Sequence, residues 1–373
     1  MSRITQRPEN MTTHQVIDTE MFADSVEWCP FNQHATTLLC GTYQLQEDGK
    51  TESPEEVPKT PQVRLGHLRM YKLKTSDANP PELELVHKLH MPGILDIKWC
   101  RSLVDDQMVF GLVNSVGELQ IWTFIDGVKE PQLNHKLKLD EGCLGLSLDW
   151  STKHESENQK VVASDSTGSI SVYDINSDPQ CLHRWKAHDF EAWISCFNYW
   201  DSNIIYSGGD DCKLKGWDLR KDTNSPIFTK RFDMGVCSMQ CNSYNSISQN
   251  IIATGGYDEY VRLWDVRNWK RELKDIRLDG GVWRIKWDPF NGTHILTATM
   301  YNGFHILNTS NPDEDMSIVT EYKIDDHGSL GYGADWCTLP VNNISDKTNI
   351  IHTLISTCSF YDHSLHLWSP EIK

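Results

Sequence analysis

Little in this sequence invites a metal, a membrane or a nucleic acid. Its 373 residues hold eleven cysteines, an odd number, with no C-x-x-C pair and no zinc-ligand spacing. That excludes a disulfide scaffold or zinc module and fits reduced, mostly buried thiols in the cytoplasm. The polar N-terminus shows no secretory signal, and no apolar run reaches the ~18 residues that a spanning helix requires. Basic residues are scarce: 35 Lys and Arg stand against 52 Asp and Glu, a net charge of −17. Such a balance argues against direct contact with nucleic acid or an anionic membrane, and leaves room for a basic protein partner or for simple solubility. No glycine-rich phosphate loop is present, so no cofactor is expected. Nor is there a G-x-S-x-G elbow; H-G-S-L-G at 327–331 has His327 where the first glycine belongs, and Ser329 is not read as a nucleophile.

What the chain has is repetition. From His188 to Arg220 it reads HDFEAWISCFNYWDSNIIYSGGDDCKLKGWDLR, three short strands with Gly/Asp turns closing on Trp217-Asp218. His188, Ser207, Asp211 and Trp217 are spaced to form one buried hydrogen-bonded chain, each member satisfying the next. Large apolar residues ending a first strand recur at Trp28, Trp99, Trp150, Phe197, Cys241, Trp287 and Trp336. Third-strand endings interleave with them at Tyr71, Trp122, Tyr173, Trp217, Trp264, Leu307 and Trp368. After the second anchor the interval is 44 to 51 residues, one four-stranded blade each. The expected fold is therefore all-β, a single seven-bladed β-propeller over 1–373.

Two irregularities need a place. The first interval is 71 residues, and residues 45–62, rich in carboxylates and proline, read as a disordered surface insertion. The last repeat ends at Trp368 without an outer strand, and residues 12–21 are expected to supply it, closing the ring. Nine of the fourteen tryptophans occupy the two repeat positions and read as packing between blades. Trp185, Trp193, Trp200, Trp269 and Trp283 remain to be explained.

Residues 186–220 look like a WD-repeat unit and closely resemble the diphthine methylesterase family of the diphthamide pathway. Further matches are G-V-C-S-M-Q-C-N from Gly235, A-T-G-G-Y-D-E from Ala253, G-G-V-W-R from Gly280, Y-G-A-D-W from Tyr332 and S-F-Y-D-H from Ser359. The resemblance implies an ester hydrolase that removes the methyl ester of methylated diphthine on the modified histidine of elongation factor 2. It implies that factor as partner; composition adds the expectation of a cytoplasmic protein without direct contact with nucleic acid or membrane, and the chain is expected to be a monomer. A non-catalytic WD-repeat scaffold is the alternative, because fold alone does not decide function.

Counting four residues back from each anchor selects one face of the propeller: Asp24, Leu95, Leu146, Trp193, Cys237, Trp283 and Tyr332. Positions preceding the turn aspartates add Asp210, Tyr257 and Tyr361, and Glu191 lies two before Trp193. An aromatic rim of this kind suits an ordinary protein partner. It also suits the trimethylammonium of the implied substrate, with Trp193, Tyr257, Trp283, Tyr332 and Tyr361 as binding residues and Glu191 or Asp210 as counter-charge. For the implied hydrolysis, Cys237 is the best-placed nucleophile, unless it is merely a small buried thiol. A water activated by Glu191 or Asp210 is the competing mechanism. His188 and His327 both occupy the network position. Asp362, His363 and His366 suggest a metal only weakly, and Lys213, Lys215, Arg220 and Lys221 read as a solvated face.

Overall fold

The computed structural model describes residues 11–46, 62–76, 79–125, 130–151, 159–244, 248–311, 313–323, 329–339 and 353–370. Its strands fall into seven four-stranded antiparallel sheets, each running from an inner to an outer strand in chain order except the last. The inner strands are Phe22–Trp28, Ile94–Trp99, Gly145–Trp150, Ile194–Asn198, Val236–Cys241, Val282–Trp287 and Gly331–Trp336. Each packs on the inner strand of the next blade, and the seventh packs on the first, so the ring is closed. All seven anchors sit at or next to the end of an inner strand, as their spacing predicts.

The anchors explain how neighbouring blades adhere. Trp150, Trp287 and Trp336 are buried, and their indole N–H groups donate to Lys98 O, Gln240 O and Lys286 O of the preceding blade, each at 3.0 Å. One side chain thus removes a large apolar surface from water and satisfies a buried carbonyl. Trp200 joins blades in the other direction, donating to Asn242 O of the following blade at 3.0 Å. Trp269 stacks on Phe228 with centroids 4.4 Å apart, and Trp185 meets Trp217 edge-on at 5.4 Å. Three of the five unassigned tryptophans are therefore packing residues.

In the fourth blade the expected polar chain is complete. The Trp217 indole donates to Ser207 Oγ at 2.9 Å, Ser207 lies 2.7 Å from His188 Nε2, and His188 Nδ1 lies 2.8 Å from Asp211. Burial keeps His188 below its ordinary value, so the ring is neutral, with Nδ1–H donating to the carboxylate and Nε2 accepting from the hydroxyl. The fifth blade departs from this pattern. Phe232 stands at the histidine position, and Asp258 takes Arg262 at 2.7 Å instead. In the seventh, Asp362 accepts from the hydroxyls of Ser329 and Ser359, while His327 lies outside the described residues.

The outer strand of the seventh sheet is Met11–Asp18, paired antiparallel with Ser364–Pro370. Gln15 on that strand reaches across to the first blade, its amide bonding both Leu83 O at 3.3 Å and Leu83 N at 2.6 Å. Most of the insertion expected at 45–62, namely residues 47–61, lies outside the described residues.

Candidate functional site

The residues selected by the count of four are the extra residues of β-bulges. Pairing between inner and second strands skips Asp24, Leu95, Leu146, Cys237, Trp283 and Tyr332 in six of the blades. In the fourth blade Trp193 immediately precedes the first paired residue, Ile194. A bulge breaks the alternation of a strand and re-aims one side chain, here at the same level around the channel. Asp24, Leu95, Leu146, Trp193, Cys237 and Trp283, with Ser147, Ile194 and Arg284, enclose a cavity of about 30 Å³. That is room for little more than a water or two.

Above the cavity the aromatic side chains form a continuous ridge. Trp193 meets Trp283 at 5.4 Å and 63°, and Tyr257 at 6.5 Å and 88°. Tyr257 lies 6.3 Å from Trp283, which stacks on Tyr332 at 4.8 Å and 23°. Tyr332 continues to Phe360 at 4.9 Å. Tyr361 is apart from the first four rings; it is exposed and stands against Phe360 and Phe22 at 5.2 and 5.7 Å. Phe22, Tyr43 and Phe360 belong to the ridge yet escaped the sequence reading, since none occupies the counted positions. Phe360, next to Tyr361 in S-F-Y-D-H, was the one with a signal.

The carboxylates expected nearby divide. Asp210 is exposed and accepts from the Trp193 indole at 3.2 Å, which orients that ring. Glu191 is half-buried, and its backbone carbonyl accepts from Asp210 N at 2.9 Å, joining the two loops. Cys237 is buried with its thiol 3.6 Å from Gly235 O. Burial pushes it well above the ordinary thiol range, and the charge of Asp210 adds to the rise despite contact with Tyr257. Burial thus favours the neutral thiol, which agrees with the second of its two readings, a small buried thiol. The weak metal suggestion also dissolves. Asp362 is engaged by serines, His366 Nδ1 lies 2.8 Å from the Tyr322 hydroxyl, and His363 packs on Phe22.

Below the rim the channel wall is charged and paired. Asp96 holds Arg284 at 3.0 Å and Lys98 at 2.7 Å. Deeper, Lys286 lies between Glu27 and Asp335, all three buried. Asp24 differs: it lines the mouth cavity, is 6% exposed, and among the described residues no hydrogen bond or ion pair reaches its carboxyl. Burial raises its pKa to about 8, with Arg284 opposing and Asp96 adding to the rise.

Residues 179–218 and 228–265 match the WD40 family, described as WD domain, G-beta repeat. The chain is 42% identical to the human protein named diphthine methyltransferase, over 87% of this chain and 74% of that one. It is 42% identical to the mouse protein of that name, over 87% and 69%, and 36% identical to the homolog from Dictyostelium discoideum, over 93% and 96%. Among solved structures, a chain of a mitotic checkpoint complex superposes with a TM-score of 0.64 at 15% identity, covering all of this chain and 97% of that one. At that identity the likeness concerns the fold alone.

The names overturn the expected reaction. A methyltransferase adds a methyl group, whereas the sequence reading expected a carboxylic ester hydrolase that removes one, and that expectation does not stand. The pathway and the repeat architecture do stand, and on identity across most of both sequences the chain belongs to the WD-repeat family of diphthine methyltransferases.

Proposed function

We propose that this protein binds a diphthine side chain, carried by elongation factor 2, at the mouth of its propeller, in the methyl-transfer chemistry for which its relatives are named. The observation that carries the reading is the contiguous cluster of half-buried rings Trp193, Tyr257, Trp283 and Tyr332, two of which, Trp193 and Trp283, line the mouth cavity. A trimethylammonium has no N–H to donate, so it is recognised by aromatic faces and nearby negative charge; each good face contributes about 0.5–2 kcal/mol. Asp210 and Glu191 supply charge beside the rings, Cys237 forms part of the floor, and Tyr361 extends the surface towards the rest of the partner. The packing anchors require none of these residues at the mouth, which supports a ligand role for them. Eleven free cysteines support a cytoplasmic location.

The test compares elongation factor 2 with and without diphthine. Binding of the modified factor about tenfold or more tighter supports the reading, the ratio expected from ~1.4 kcal/mol of recognition. Equal affinity for both forms overturns it. Mass spectrometry of the modified residue, with a methyl donor present, then separates enzyme from scaffold: a change of one methyl unit supports chemistry, and an unchanged mass leaves a binding module.

A further inference from the structure

We propose that Asp24 is a further counter-charge, which a quaternary ammonium meets beneath the aromatic rim in addition to Asp210 and Glu191 beside it, and that cation binding there expels a proton from the protein. The inference rests on the reading of the mouth given above and assigns its electrostatics to a residue on the first blade. Asp24 is the bulged residue of the inner strand Phe22–Trp28, the one acidic member of the mouth ring, and it lines the same cavity as Trp193 and Trp283. Its carboxyl lines the mouth cavity and is bonded to nothing among the described residues, whereas Asp96, Arg284, Lys98, Glu27, Lys286 and Asp335 on the same channel are paired. A carboxyl with no protein partner beside Trp193 and Trp283 is free to meet a cation seated on those rings.

The neighbours determine the protonation state. Asp24 feels Arg284 from the sixth blade and Asp96 from the second, a pair whose charges largely cancel. The other ionisable groups around it are Cys40 on its own sheet and Tyr332 and Cys358 on the seventh. Burial raises all three, Cys40 to about 12, so they stay neutral at physiological pH. Asp24, at about 8, is therefore the group of this set that titrates within reach of neutrality, and the free protein holds it protonated near pH 7. A fixed positive charge favours the carboxylate, and in this low-dielectric setting it acts strongly even from the rim. Binding then releases one proton. Affinity for the cation is full above the free-state value and falls as pH drops below it, by about tenfold per pH unit while the bound form stays ionised.

Tetramethylammonium is a sufficient probe, titrated by calorimetry between about pH 6 and 9, with uncharged 3,3-dimethylbutanol as its shape control. The expected result is a rising affinity for the cation, one proton released in paired buffers of different ionisation heat, and no pH dependence for the alcohol. Asp24→Asn, close in size and neutral at every pH, should remove the slope and the proton release. Cation binding without a pH slope in the wild type, or an unchanged slope in Asp24→Asn, overturns the proposal while leaving the aromatic site intact. Failure of the wild type to bind the cation at any pH removes the aromatic site and this proposal together.

Discussion

Replacing His188 by alanine withdraws a partner from two buried groups at once. Ser207 loses the acceptor for its hydroxyl proton while still accepting from Trp217 at 2.9 Å. Asp211 loses its 2.8 Å hydrogen bond but retains Asp189 N at 3.3 Å, Lys213 N at 3.2 Å, and the ammonium groups of Lys213 and Lys215 at 3.5 and 3.7 Å. The carboxylate is thus partly compensated and the hydroxyl is not. With about 1–3 kcal/mol per buried unsatisfied group, His188→Ala should cost about 2–3 kcal/mol, and Trp217→Phe, which frees only one acceptor, about 1 kcal/mol. The double variant should cost less than the sum, since the chain is already broken by either change. A pH signature accompanies the loss. Burial alone would raise Asp211, yet the hydrogen bond and charge relations with His188, helped by Lys215, hold it at about 2. A folded-state value below the ordinary 3.8 contributes stability that is present above pH 3.8 and disappears as pH falls towards 2. His188→Ala should move the acid unfolding transition to higher pH. The assay is urea unfolding at constant slope across this range. If His188→Ala keeps the wild-type midpoint at neutral pH, the four residues do not act as a chain and the reasoning fails.

Three further outcomes follow from the channel and the closure. Because the folded protein raises Asp24 to about 8, its contribution to stability is full below pH 3.8 and is lost as pH rises to about 8; Asp24→Asn should therefore match the wild type near pH 4 and exceed it at pH 8 by on the order of a few kcal/mol. Equal melting of the two proteins at pH 8 would sink this. Lys286→Met strands Glu27 and Asp335 in the interior and should cost about 3–5 kcal/mol, read from the urea midpoint, with part of it recovered when Glu27→Gln is added. Gln15→Ala removes both amide bonds to Leu83 and should cost about 1 kcal/mol; hydrogen exchange should rise first in the strands Met11–Asp18 and Asn79–Pro92, and unchanged exchange there would count against the tie.

The blade count was legible because each blade repeats the same two physical needs, a large buried anchor and a turn that satisfies its own polar groups. Trp150, Trp287 and Trp336 show why the anchor is so often tryptophan: it also donates to the previous blade. The mouth was legible by counting from those anchors, since a bulge at a fixed distance brings the counted residue to the channel. What spacing does not carry is charge state. Cys237 falls on the right position but in surroundings that keep its thiol protonated, and Asp24, on an equivalent position, is distinguished only by the absence of a partner. Phe22, Tyr43 and Phe360 entered the ridge through contacts between blades that no single repeat encodes. The direction of the methyl chemistry was not legible either, because the same rim would recognise a trimethylammonium before or after either reaction.

The central claim is that the rim recognises the modification carried by the partner. The most direct measurement is the ratio of affinities for elongation factor 2 with and without diphthine, in the wild type, in Trp193→Ala and in Trp283→Ala, with His188→Ala as a control distant in role from the rim. The account predicts a wild-type ratio of about ten or more that falls towards one in both rim variants and survives in the control, the loss corresponding to one or two cation–π contacts. A ratio that persists in both tryptophan variants, or that is one in the wild type, contradicts it.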